Sequence, residues 1–347
     1  MKFGPIAVEE SEGGILAHSI RREGLVLKKG ARVRAEDAAA LARAGVERIV
    51  VARLEPGDVE ENEAALRVAR RIAGQGVRVE APFTGRSNLF AEWAGVLDLD
   101  VERIQRINGV HEDLTLATLP NHRSVVEGEM IGTVKIIPFA LSGETFTRAA
   151  DASVKAIEVR PFVRKRIAVV STLLPGLKPS VVDKTLRVLA QRLAPAGAAI
   201  VAEARVEHET AALAAKIVEV ARDCDIVLVF GASAITDRRD VIPAAVEAAG
   251  GVIERFGMPV DPGNLLLLAR TGAGQPLLGA PGCARSPKEN GFDWVLQRLL
   301  AGMSVSDADI RAMGVGGLLM EIVSRPQPRA DAQTDVESLA ERLAADE

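Results

Sequence analysis

At 347 residues the chain is long enough for two or three domains of ordinary size. Its 48% hydrophobic and 26% charged residues fit a globular protein with a sizeable core. A net charge of −4 and 3% aromatics without a tyrosine argue against a nucleic-acid face built on basic charge or base stacking, and against attraction to anionic lipid. The two cysteines, Cys224 and Cys283, make no disulfide framework, as expected of a cytoplasmic protein. The opening MKFGPIAVEESEGG has no long apolar stretch, and no run approaches the length of a membrane span, so neither a leader nor a membrane segment is expected. His18, His111, His122 and His208 show no metal-ligand spacing with the cysteines, so no zinc site is expected.

Residues 1–60 read as a β-rich region of short strands, turns and one helix. LVLKKGARV is punctuated by Gly30. AEDAAALARAGV predicts a helix from Ala35 ended by Gly45, and ERIVVARL predicts a strand closed by the turn Glu55-Pro56-Gly57-Asp58.

Residues 61–160 read as a mixed α+β middle region. EENEAALRVARRIA predicts an amphipathic helix and GVRVEAPF a strand. TGRSNLFAEWAGVLDLD predicts a turn at residues 84–88 that continues as a helix. Arg86, Ser87 and Asn88 at such a helix start could hold an anion, but capping by Ser87 or Asn88 beside a solvated Arg86 is the simpler expectation. Residues 114–119 and 131–139 are strand-like, with His122 and Arg123 between them. A single loop histidine is expected at the surface. Lys135, inside TVKIIPF, faces either a cleft or solvent.

Residues 161–303 carry the clearest pattern. KRIAVVST, GAAIVAEARV and DIVLVFG predict strands. SVVDKTLRVLAQRLA, HETAALAAKIVEVARDC, VIPAAVEAAGG and ENGFDWVLQRLLAG predict helices, and NLLLLAR and QPLLGAPG are strand-like. The alternation predicts an α/β domain, a doubly wound parallel sheet with helices on both faces. Residues 304–347 form a C-terminal extension. SVSDADIRAMGVGGLLMEIV predicts one more helix and strand, and SRPQPRADAQTDVESLAERLAADE a partly disordered tail.

The most informative segment is GASAITDRRDVIPAAVEAAGG, residues 231–251. It follows an unbroken apolar run, Ile226 to Phe230, that reads as a buried parallel strand. Residues 231–239 therefore sit at the carboxyl end of a central strand, where open α/β sheets bind ligands. Gly231, Ala232 and Ser233 let the backbone come close to a ligand, and the following helix points N–H groups at an anion. Asp237, Arg238, Arg239 and Asp240 add charge at the rim. An ordinary strand–loop–helix turn with Asp240 as N-cap explains the same spacing.

GASAITDRRDVIPAAV resembles the signature loop of the molybdopterin-binding proteins of molybdenum-cofactor biosynthesis, which reads G-G-T/S-G, a spacer, then R-D-V-T-P-E-A. Gly231, Arg239, Asp240, Val241, Pro243 and Ala245 match it. Ala232 and Ala234 stand where that family prefers glycine, and Ile242 where it prefers Thr. The N-terminal stretch through VARLEPGD is similar in pattern to the entry region of the molybdenumtransferase group. The resemblance implies a molybdopterin-binding domain over residues 161–303, with molybdopterin as ligand or substrate.

It also implies a site built from several strand ends. After the first strand, Thr172, Lys178 and Ser180 are candidates to contact the pterin or its phosphate, with Ser180 otherwise an N-cap. The adenylylating branch often carries an S-D-x-x-x-x-G loop here, and no acidic residue lies between Ser171 and Ser180. His208, flanked by Glu207 and Glu209, stands where that branch has an Asp. GAPGCARSPKENGFDW resembles the family's closing P-G-N-P turn through Pro281 and Gly282, with Ser286 and Lys288 placed for an anion and Cys283 expected to be an inert buried thiol. Asp240 is the candidate catalytic residue and the candidate magnesium ligand, with ATP as co-substrate if the chain transfers adenylyl groups.

Two function classes follow: a molybdopterin-binding carrier of the pathway, or a transferase, either an adenylyltransferase or a molybdenum-insertion enzyme. Partners would be molybdopterin and other maturation proteins, and the chain would form a homo-oligomer. A generic nucleotide-binding protein is less favoured, because the chain has no P-loop and no G-x-G-x-x-G opening a βαβ unit.

Overall fold

The computed structural model describes residues 1–22 and 24–319. The part of the C-terminal extension expected to be a strand end and tail, residues 320–347, lies outside them.

Strands Lys2–Ala7, Ile15–Leu16 and Arg48–Arg53 form a small antiparallel sheet, and helix Ala35–Arg43 completes the region. Val8, Leu16, Leu41, Ile49 and Val51 make its core. Next, helix Glu61–Ile72 lies on an antiparallel four-stranded sheet of Val77–Val79, Arg86–Ala91, Leu114–Thr118 and Met130–Ile136. Ala64, Val68 and Ile72 are one and two turns apart and fully buried, as an amphipathic stripe requires. Gly95–Leu99 pairs with Ser124–Val125 and with Ile157–Pro161 in a separate sheet.

The helix expected after residues 84–88 is absent. Arg86–Ala91 and Gly95–Leu99 are strands. The reason is an alternation of period two: Ser87, Leu89 and Ala91 are buried, while Arg86, Asn88 and Phe90 lie on the other side. Asn88 and Ser87 are therefore not helix caps. Ser87 Oγ donates to the Glu80 carbonyl at 2.9 Å, and Asn88 Oδ1 accepts from Thr133 Oγ1 at 2.9 Å. Lys135 donates to the Thr84 carbonyl.

The largest sheet has six strands: β1 (Arg166–Leu173), β2 (Ala199–Glu207), β3 (Ile226–Phe230), β4 (Val252–Phe256), β5 (Leu267–Arg270) and β6 (Pro276–Ala280), in the order β2-β1-β3-β6-β5-β4. Strands β2, β1, β3 and β6 run parallel, and β5 is antiparallel to both its neighbours. This corrects the expectation of a wholly parallel sheet. Residues 271–275 join β5 to β6, with Gly274 at φ +94°, and so short a connection can only reverse the chain. Strand β4 was not legible in the sequence.

Helices pack on both faces. Ile167, Val169, Leu228 and Phe230 meet α1 (Pro179–Leu193) and α4 (Gly291–Leu300). Ala168, Val170, Val227 and Val229 meet α2 (Thr210–Val220) and α3 (Val241–Ala248). All five residues of β3 are at most 1% exposed, which explains why that segment is apolar without alternation. A last helix, α5 (Asp307–Ala312), sends Ile310 into the first of these cores.

Candidate functional site

Three strand ends are tied together by one hydroxyl. Thr172, near the end of β1 and 1% exposed, accepts a hydrogen bond from the Ala232 amide at 2.8 Å through Oγ1. The same oxygen lies 2.8 Å from His208 Nδ1, at the end of β2. The His208 amide donates to the Leu173 carbonyl at 2.9 Å. Thr172, His208 and the loop after β3 thus meet at one edge of the sheet, the carboxyl ends of β1, β2 and β3, where open α/β sheets bind ligands.

The segment after β6 joins this edge through Arg285, a residue the sequence pattern did not single out. Its guanidinium donates to the Gly231 carbonyl at 2.6 Å and to Thr185 Oγ1 of α1 at 3.3 Å, and lies 5.8 Å from the centre of the Phe230 ring. Burial pushes the Arg285 pKa down, yet a guanidinium remains charged at neutral pH. No local signal marks it, since a single arginine among small residues is unremarkable. Beside it Ser171, 2% exposed, has a hydroxyl oxygen without a partner among the described residues.

Gly231 is required for packing within the loop. A Cβ there would lie 2.7 Å from both the Ser233 carbonyl oxygen and Ile242 Cδ1. At Gly282 a Cβ would meet nothing within 4 Å. Pro281, buried, precedes the short helical turn Gly282–Arg285.

Asp240 is the N-cap of α3. Its carboxylate accepts from the Val241 amide at 2.7 Å and the Thr236 amide at 3.3 Å, fixing the loop against the helix. Asp237 is committed to Arg239: Nε to Oδ1 is 2.8 Å, and the Arg239 amide donates to the same oxygen at 2.8 Å. The side-chain hydrogen bond from Arg239 pulls the Asp237 pKa down to about 2. Ser233 and Arg238 are exposed. Lys178 is the exposed N-cap position of α1, with Pro179 at N1, so Ser180 lies inside the first turn and is not the cap.

Ser286 and Lys288 are held elsewhere. Arg192, in the last turn of α1, donates to the carbonyls of Ala284, Ser286 and Lys288 and pairs with Asp293 of α4 at 2.6 Å. Seven residues separate Thr185 from Arg192, about 10 Å along a helix. The chain after Arg285 therefore descends beside α1, and Lys288 is exposed there. Cys283 is half-buried, and burial raises its pKa, so its thiol stays protonated at neutral pH.

The residues do not fit a magnesium site. Among the described residues no group of three or more His, Cys, Asp or Glu side chains could hold a metal ion, and the Asp240 and Asp237 carboxylates are both engaged. Glu207 and Glu209 are exposed at the end of β2 and before α2.

One segment of the chain matches a known family. Residues 166–302 match the family model described as "Probable molybdopterin binding domain". The matched segment spans all six strands of the large sheet and α1 to α4. Residues 5–53 match a family model described as a domain of unknown function. Among solved structures, the chain is similar to the molybdopterin biosynthesis MoeA protein from Pyrococcus horikosii, at 13% identity and a TM-score of 0.30, covering 87% of this chain and 75% of that one. It is also similar to a molybdenum cofactor biosynthesis protein from Pyrococcus furiosus, at 11% identity and a TM-score of 0.26, covering 88% of this chain and 66% of that one. No curated protein matches the chain at a significant level. No helix among the described residues is long and apolar enough to cross a membrane.

Proposed function

We propose that the chain binds molybdopterin at the strand-end edge of the sheet and acts as a binding or carrier protein in molybdenum-cofactor biosynthesis. The observation that carries this reading is the coincidence of a molybdopterin-binding-type domain at residues 166–302 with the Thr172–His208–Ala232–Arg285 cluster at its strand ends. Molybdopterin combines a phosphate, a dithiolene and a flat, polar pterin. The strand-end edge offers a charged guanidinium at Arg285, exposed cations at Lys178 and Arg238, the Ser171 hydroxyl, which has no partner among the described residues, and the His208 imidazole held by Thr172. Asp240 orders the loop on which the ligand would rest.

The second reading is a transferase, either adenylyl transfer with ATP and magnesium or molybdenum insertion. Adenylyl transfer is disfavoured by an observation about these residues: the imidazole of His208 cannot replace a carboxylate as a hard oxygen ligand, and the Asp237 and Asp240 carboxylates of the loop are engaged. The deciding experiment purifies the full chain anaerobically, oxidises it and identifies co-purified pterin by fluorescence. The chain is then incubated with molybdopterin, ATP and magnesium. Retained pterin without adenylylated product is expected. Product in excess of protein would establish the enzyme, and a chain that neither retains nor titrates with molybdopterin would end the proposal.

A further inference from the structure

A cavity of about 1130 Å³ lies apart from the strand-end cluster, between the loop preceding Ser124–Val125, one face of α4 and the segment through α5. Its volume suits an organic ligand of moderate size. On α4, Trp294, Gln297 and Arg298 stand at i, i+3 and i+4 and so share one face, which lines the cavity. His122 lines the opposite wall. Its backbone is held in the left-handed region at φ 62°, and its amide donates to the Leu97 carbonyl at 2.8 Å and to Asn121 Oδ1 at 2.9 Å. The expected surface histidine is thus half-buried and aimed inward. Burial, aided by Arg298, pushes the His122 pKa down, leaving a neutral ring at pH 7.

Arg298 is the group that demands a partner. Its Nε is buried and has no hydrogen-bond partner among the described residues. Buried polar groups of proteins are nearly always paired, because an unpaired one forfeits its hydration. The acid on the same wall, Asp309, attracts Arg298 electrostatically but gives it no hydrogen bond: its Oδ2 accepts from the Ser306 amide at 2.7 Å and the Ser306 hydroxyl at 2.6 Å in the capping box of α5, of which Ser306 is the N-cap. The other cations of the cavity are likewise spent, Arg192 on Asp293 and Arg123 on Glu129. Trp294 gives its N–H to Glu289 at 2.9 Å, which leaves the indole to serve as a flat wall.

We propose that this cavity is a second ligand site, for a flat heteroaromatic compound bearing an anionic group, with the anion on Arg298, polar support from His122 and Gln297, and the ring against Trp294. The chemistry is shared by mononucleotides and by anionic pterins. Calorimetric titration of the full chain with AMP and with pterin-6-carboxylate separates these sources, and adenosine serves as the uncharged control. At least one anionic probe is expected to bind below about 1 mM, with adenosine at least about tenfold weaker. Arg298→Met should weaken that binding by at least about tenfold while the fold is kept, since it removes a buried Nε that has no hydrogen-bond partner among the described residues, and Asp309 keeps its hydrogen bonds from Ser306. Arg285→Met, at the strand-end edge, should leave AMP binding and the Arg298-dependent part of pterin-6-carboxylate binding unchanged, so the two sites fail or stand separately. Absence of binding by both anionic probes, equal binding of adenosine, or wild-type affinity in Arg298→Met would each overturn the proposal.

Discussion

The Thr172 hydroxyl receives the Ala232 amide at 2.8 Å, so a side chain of β1 fixes the backbone of the loop that leaves β3. The contact is local in space and 60 residues long in sequence. Replacing the hydroxyl by a methyl, in Thr172→Val, leaves the Ala232 amide unpaired at nearly constant volume. The expected cost is about 1–3 kcal/mol of stability, read from chemical denaturation, together with weaker molybdopterin binding. Unchanged pterin affinity in a folded variant would remove this loop from the site.

Asp240 separates capping from ligand binding. Asp240→Ala should lose about 0.5–2 kcal/mol, while Asp240→Asn should keep the cap. If the carboxylate charge also serves the pterin, the Asn variant melts like the wild type yet binds more weakly, and that is the expected result. Wild-type affinity in the Asn variant would leave Asp240 as a cap alone.

Arg285 bridges Gly231 and Thr185 and cannot be replaced by a point charge. Arg285→Lys is expected to recover less than half of the pterin affinity lost in Arg285→Met. Full rescue by lysine, measured by titration of both variants, would show that charge alone matters there.

The Arg192–Asp293 pair is 2.6 Å long, with side chains 9% and 10% exposed. Breaking one partner of such a pair strands the other, so Arg192→Ala should cost about 3–5 kcal/mol. The double variant Arg192→Met with Asp293→Leu should recover part of this loss in the same denaturation series. A near-neutral Arg192→Ala would mean that its carbonyl contacts carry little.

Asp237 has a folded-state pKa lowered to about 2 by Arg239. A depressed carboxylate pKa contributes stability that is present above the unfolded value, near the ordinary 3.8, and is lost as pH falls through the folded value. NMR titration of the Asp237 carboxyl should therefore show a midpoint near pH 2, and Arg239→Ala should move it up toward 3.8. A midpoint already near 3.8 in the wild type would show that the exposed pair is broken in solution.

The apolar run Ile226–Phe230 and the helical spacing of α1 and α2 were legible in the sequence because burial on fixed faces writes periodicity into residue order. The R-D-V-x-P motif likewise announced a loop entering a helix, and Asp240 caps that helix. Residues 86–91 were misread as a helix start. Their alternation is short, and its meaning depends on pairing with Met130–Ile136 some 45 residues away. Nothing in the sequence marked Arg285 or Arg298, since an arginine's role is set by what surrounds it after folding. Lys178 and Ser180, by contrast, looked chemically apt and stand exposed. Local order of apolar and turn residues thus determined β1, β2 and β3 and the helices α1 to α4 of the large domain. The joining of Thr172 to Ala232 and His208 and the enclosure of Arg298 were decided by tertiary structure, because each depends on contacts between segments whose separation in the chain carries no periodic signal.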